Sequence, residues 1–269
     1  MFGFRSVVTV VLWAIAAATG ACNAEEVKRI QDNSFLIEEA YNQETGVVQH
    51  IQTYQRMRGG DWAYTFTQEW PASTQKHQLS YTIPVLRPED GFGASHLGDI
   101  ALNYRYQAIL KGPIAFSPRL SLLLPTGDYK KGVGSGSTGF QVNLPLSIET
   151  SSKWVTHCNT GFTFVPNAKE PGGAQADTLG FNIGASAIYS ATNKLNLMLE
   201  ALWTSEETVL PGGSTDRQSA LLISPGLRYA IDTKSGMQIV PGVAFPTGIG
   251  PSRGDSGLFL YLSLEHPFK

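Results

Sequence analysis

Arg105 and Arg119 are the residues of this 269-residue chain whose type and spacing promise the most chemistry. Each lies on the polar face of an alternating segment. The short turn at 110–113 brings the two nearly opposite each other. Like charges facing across a strand pair call for a counter-charge. Glu149 and Glu200 are the expected partners. If no carboxylate answers them, the two guanidiniums form a constriction that draws anionic or carboxylate-bearing solutes. Asn103, Gln141, Asn143 and Arg228 fall on the same kind of face, so these eight residues form the expected interior set.

Covalent chemistry has little footing. No Gly-x-Ser-x-Gly elbow and no phosphate-cradling Gly-Lys-Ser/Thr loop occurs. The run Gly132-Val133-Gly134-Ser135-Gly136-Ser137 has no following lysine and reads as turn material. His50, His77, His96, His157 and His266 are scattered, with no metal-binding spacing. No catalytic residue, metal or cofactor is expected. A Ser–His–Asn/Asp arrangement of lipase or acyltransferase type stays open, because such triads assemble in space.

The elements that hold these residues alternate with a period of two. In 99–110, Ile100, Leu102, Tyr104 and Tyr106 oppose Asp99, Asn103, Arg105 and Gln107; in 140–149, Phe140, Val142 and Leu144 oppose Gln141 and Asn143. The same pattern gives about twelve strands, each near the ~9–11 residues that a tilted strand needs to cross a bilayer. They are read at 46–54, 61–70, 76–84, 98–109, 114–124, 137–149, 153–165, 178–190, 194–204, 217–230, 235–245 and 257–266.

Gly-rich links at 87–97, 126–136, 167–177, 205–216 and 247–256 alternate with short turns at 72–75, 110–113, 150–152, 191–193 and 231–234. Long loops on one side and tight turns on the other mark an outer-membrane barrel. Pro118, Pro145, Pro225 and Pro241 fall inside the strand spans and require bulges or broken pairing.

Alternation alone fits a soluble sandwich as well. The polar face, however, is rich in Asn, Gln, Ser, Gly and Thr and poor in lysine. Charged residues are only 16% of the chain, against roughly 25% in soluble domains. On the apolar face, Tyr106, Trp154, Tyr189 and Tyr229 sit beside the short turns; Phe140, Phe164, Trp203 and Phe245 sit beside the long loops. Two aromatic belts on one face match the girdles of a membrane barrel. The fold expected is all-β: a transmembrane antiparallel up-and-down β-barrel over residues 46–269.

The amino terminus reads as an export signal. Arg5 precedes an uncharged apolar run, then small residues lead to Ala24. Cleavage near Ala24 is expected, with residues 1–24 as signal peptide; an uncleaved anchor and lipidation of Cys22 are the alternatives. Residues 25–45 read as a periplasmic tether, or as a segment that docks at the mouth or enters the lumen. A net charge of -2 offers no basic excess for nucleic acid. The expected partners are outer-membrane lipid, the outer-membrane assembly machinery and a small solute. No protein partner is inferable.

Particular motifs then stand out: Gly98-Asp99-Ile100-Ala101-Leu102 with Tyr104-Arg105-Tyr106, Leu122-Leu123-Leu124-Pro125-Thr126-Gly127-Asp128, and the glycine-rich stretch from Gly132 to Gly139. With these, the chain from about Gln78 onward resembles the MetA-pathway of phenol degradation family of outer-membrane transporters. The resemblance implies a barrel related to channels for hydrophobic compounds. The function expected is passive passage of small hydrophobic or aromatic solutes across the outer membrane, the alternatives being an outer-membrane enzyme or a structural barrel with a filled lumen.

Overall fold

The computed structural model describes residue 30, residues 34–88 and residues 94–268. The segment expected to be a signal peptide, Cys22, part of the 87–97 link and Lys269 lie outside the described residues.

Twelve antiparallel staves close one sheet on itself. They are β1 (Val47–Met57), β2 (Trp62–Ala72), β3 (Thr74–Arg87), β4 (Ile100–Tyr106), β5 (Arg119–Leu124), β6 (Gly139–Asn143), β7 (Trp154–Lys169), β8 (Gln175–Ser190), β9 (Leu195–Val209), β10 (Thr215–Tyr229), β11 (Gln238–Ala244) and β12 (Gly257–Pro267). Each pairs with its sequence neighbour. Closure comes from β1 on β12, in register from Val47 opposite Pro267 to Met57 opposite Gly257. This leaves no edge strand, as hydrocarbon requires.

The two faces separate as the alternation predicts. Leu102, Tyr104, Leu120, Leu197, Leu199 and Leu260 are exposed on the outer wall, while Asn103, Arg105, Ser121, Asn196 and Glu200 are buried. A soluble protein would invert this arrangement. Tyr106, Trp154 and Tyr229 are exposed at one end of the wall, and Phe140, Phe164 and Phe245 at the other.

One departure from the sequence reading has a physical cause. The links expected at 167–177 and 205–216 are mostly strand: β7 and β8 pair out to Lys169 opposite Gln175, and β9 and β10 to Val209 opposite Thr215. Only tight turns remain there, and Gly173, Gly212 and Gly213 take the positive φ those turns need. These tall hairpins carry Arg217 2.9 Å from Glu207, so their tips are built for water. The broken pairing expected at Pro118 and Pro145 takes the form of a seam at one height in three neighbouring staves. Pro118 separates β5 from the short strand Ile114–Phe116, and Pro145 separates β6 from Leu146–Glu149; Gln107 and Ala108 part β4 from Ile109–Lys111. Irregular bonds bridge the seam, with Tyr106 N donating to Pro118 O at 3.0 Å and Ser117 N to Pro145 O at 3.1 Å. Pro225 and Pro241 instead stay within the β10 and β11 ladders.

Candidate functional site: an occupied lumen

The lumen is filled by the chain that leads into β1. Ile37 and Ala40 are as buried as any core residue. This stretch forms no ladder with the wall, so its peptide groups must find partners elsewhere. Wall side chains supply them. Leu36 N and Ile37 N donate to Glu200 Oε1 at 2.9 and 3.3 Å. Glu38 and Asn159 bond reciprocally: Glu38 N donates to the Asn159 amide oxygen at 2.7 Å, and the Asn159 amide nitrogen donates to Glu38 O at 2.9 Å. Ala40 N donates to Ser147 Oγ at 2.7 Å, while Ala40 O accepts from Ser117 Oγ and Gln107. Further along, Asn42 N donates to Gln107 and Gln43 N to Gln78.

Arg105 and Arg119 stand directly opposite each other on β4 and β5. Arg105 donates to Glu39 O, Tyr41 O and the Asn42 side-chain oxygen, at 3.0, 2.9 and 3.0 Å. The Glu69 carboxylate lies 3.6 Å from it. Arg119 holds Glu38 at 2.8 Å, and also donates to Asn103 and Gln141. Asn143 donates to the Glu38 carboxylate at 2.7 Å. Burial opposes ionisation of Glu38, yet the Arg119 and Arg105 guanidiniums and the bonds from Asn143 and Arg119 hold its carboxyl below the ordinary value.

The expected counter-charges therefore need correcting. Glu38 and Glu69 answer the arginines, whereas Glu200 receives backbone N–H groups. Glu149 lies 3.5 Å from the Tyr41 hydroxyl. Arg228, remote from the pair, donates to Ile30 O at 3.2 Å. Glu38 comes from outside the strands, so strand register could not reveal it. Gln78, Gln107, Ser117, Ser147 and Asn159 also hold the segment. Their signal in the sequence was faint: neutral polar side chains on the inward parity.

Apolar packing anchors the other side of the lumen. Phe35 joins a buried apolar cluster with Ile51, Met198, Ala244, Phe259 and Tyr261. At the end nearest the termini, a cavity of about 440 Å³ opens beside the segment, lined by Glu39, Gln43, Lys194, Asp232 and Glu265. Ser147 Oγ also lies 2.7 Å from His157 Nδ1, but both are buried beneath the segment and Ser147 already accepts Ala40 N. Among the described residues no three His, Cys, Asp or Glu side chains cluster to hold a metal ion.

At the opposite end, the distinctive motifs converge. Asp99 accepts from Gly127 N, Ser135 N and Ser135 Oγ at 2.9, 2.7 and 2.6 Å. A Cβ on Gly127 would meet Val133 O at 2.4 Å, so only glycine lets these two stretches of the loop lie this close.

A closed wall, an apolar exterior and a polar lumen define a transmembrane β-barrel of the outer-membrane type. Residues 33–246 match the family described as MetA-pathway of phenol degradation, and the chain belongs to that family. No curated protein matches the sequence. Among solved structures, the COG4313 outer membrane channel from Pseudomonas putida F1 is similar at TM-score 0.63 and 13% identity, over 85% of this chain and 98% of that one. The KdgM porin is similar at TM-score 0.54 and 10% identity, over 82% and 99%. NanC porin reaches TM-score 0.54 at 9% identity, over 82% and 99%. At such identities the likeness speaks for the fold.

Proposed function

We propose that the protein is an outer-membrane channel that admits small hydrophobic or aromatic solutes by passive passage. On this reading it performs no covalent chemistry and is closed by its own amino-terminal segment. It is exported by a signal peptide cleaved near Ala24, inserted by the outer-membrane assembly machinery, and meets lipid, a small solute and no nucleic acid.

One observation carries the reading: side chains, not a backbone ladder, hold the segment. A ladder strand belongs to the wall, whereas a segment held by side chains can leave while the barrel stays closed. The solved channels and porins of the same fold support a pore. The filled lumen equally favours a second reading, a structural barrel whose interior is permanently occupied.

Single-channel recording in planar bilayers separates the two. The full chain and a variant deleted from Ile30 to Thr45 are compared with a panel of aromatic, sugar and carboxylate solutes. A channel gives brief openings in the full chain, long openings in the deletion, and aromatic permeation. A variant that assembles yet passes neither ions nor solutes establishes the structural barrel.

A further inference from the structure

The Phe35 side chain occupies a slot made by the absence of side chains. Gly226 on β10 and Gly242 on β11 both face it. A Cβ on Gly226 would lie 2.7 Å from Phe35 Cε2, and one on Gly242 would lie 2.6 and 2.7 Å from Cε1 and Cζ. Glycine weakens a strand interior, and a facing pair marks a place where something must come close to the backbone. The rings of Phe259 and Tyr261 stand with centroids 5.6 and 5.4 Å from Phe35, within aromatic pairing distance. The slot thus fits a flat six-membered ring.

Its polar edge is not matched by Phe35. Ser224 lies two residues from Gly226 on the same inward face, directly across from Glu200. Both are fully buried. Ser224 Oγ and Glu200 Oε2 have no hydrogen-bond partner among the described residues. Burying such atoms unpaired is unfavourable. A phenylalanine ring supplies shape there and no hydrogen bond.

We propose that this slot is a solute site for a neutral aromatic ring bearing one hydroxyl, and that Phe35 is the resident ring such a solute displaces. The inference rests on the channel reading and deepens it. The solute's O–H donates to Glu200 Oε2 and its oxygen accepts from Ser224, while its ring lies against the two glycines. Occupation removes the apolar anchor of the segment, so the solute itself loosens the closure. A compound with the ring alone, or the hydroxyl alone on a puckered saturated ring, satisfies only half of the site.

The test is binding of phenol, toluene and cyclohexanol to full-length protein in detergent by calorimetry. It uses wild type, Phe35→Ala, and Phe35→Ala combined with Gly242→Ala. One net hydrogen bond corresponds to roughly tenfold in affinity. Phe35→Ala is expected to bind phenol saturably and about tenfold more tightly than toluene or cyclohexanol. Wild type binds phenol more weakly, because its own ring competes, and the Gly242→Ala change abolishes binding. Equal affinity for all three compounds in Phe35→Ala would overturn the proposal, leaving an unselective apolar void; so would binding indifferent to Gly242→Ala. Should Phe35→Ala fail to assemble, wild-type recordings decide: phenol raises opening frequency and toluene and cyclohexanol do not, and a flat response to phenol overturns the site. Salt conductance of the deletion variant tests the channel separately, since it involves no phenol.

Discussion

Glu38 concentrates the electrostatics of closure on one carboxylate. It meets Arg119 at 2.8 Å, with Asn143 donating to it and Arg105 nearby. Hydrogen bonds to charged groups contribute about 1.5–3 kcal/mol. Glu38→Gln should therefore raise the open population roughly tenfold or more, read as open probability in single-channel records. The pH dependence has a definite sign. A depressed carboxyl pKa stabilises docking above its free value of 4.5, and that contribution is lost as pH falls through the docked value. Openings should increase below about pH 4.5 in wild type and change little in Glu38→Gln. A pH response identical in both would remove Glu38 from the closure. Departure of the segment also frees Arg119. In the deletion variant, anions should be preferred, and Arg119→Gln should move the reversal potential under a salt gradient toward cations. No movement would mean that current bypasses Arg119. The arginine pair could be read from register alone, because a short turn fixes who faces whom. Its counter-charges could not, because Glu38 reaches Arg119 across a sequence separation that no local pattern encodes.

Strands were the most readable level. The period of two placed Leu102 and Phe140 outward and Asn103, Gln141 and Glu200 inward, because the pleat leaves no other choice once the parity is set. What escaped was length: past the membrane, residues such as Glu207 and Asp216 lose the apolar alternation but keep the ladder, so polarity reads as loop. The outer parity carries a sharp prediction. Leu199 is 52% exposed on the outer wall, and arginine at the bilayer midplane costs about 2–4 kcal/mol. Leu199→Arg should reduce assembly into the membrane. Gln218→Arg, beyond the membrane and opposite Glu206, should assemble normally, with folded yield scored on unheated gels. Equal yields would contradict the placement of Leu199 on the lipid-facing wall.

At the scale of the whole molecule, a closed ladder has no free edge at which unfolding can begin. The barrel should therefore resist sodium dodecyl sulfate at room temperature and change its apparent size on boiling. The deletion variant should do the same at a lower transition temperature, since only the lining is lost. Coincident transitions would show that the segment adds nothing to stability.

The direct run from the inner segment into β1 bears on how the barrel is born. Glu44 and Val47 turn the chain from the lumen into the wall, with Val47 N donating to Glu44 O at 3.1 Å. β1 is also the strand that must find β12 to finish the ring. The last ladder to zip joins chain ends about 220 residues apart, a slow step by loop-closure entropy. The inner segment is tethered at that same seam. Biogenesis then resembles drawing a purse string: the two ends meet, and the cord is tucked in as the mouth tightens. Until that moment, Glu200, Asn159, Ser147 and Gln107 have only water to bind, so refolding should show ring completion and interior filling as late, linked phases.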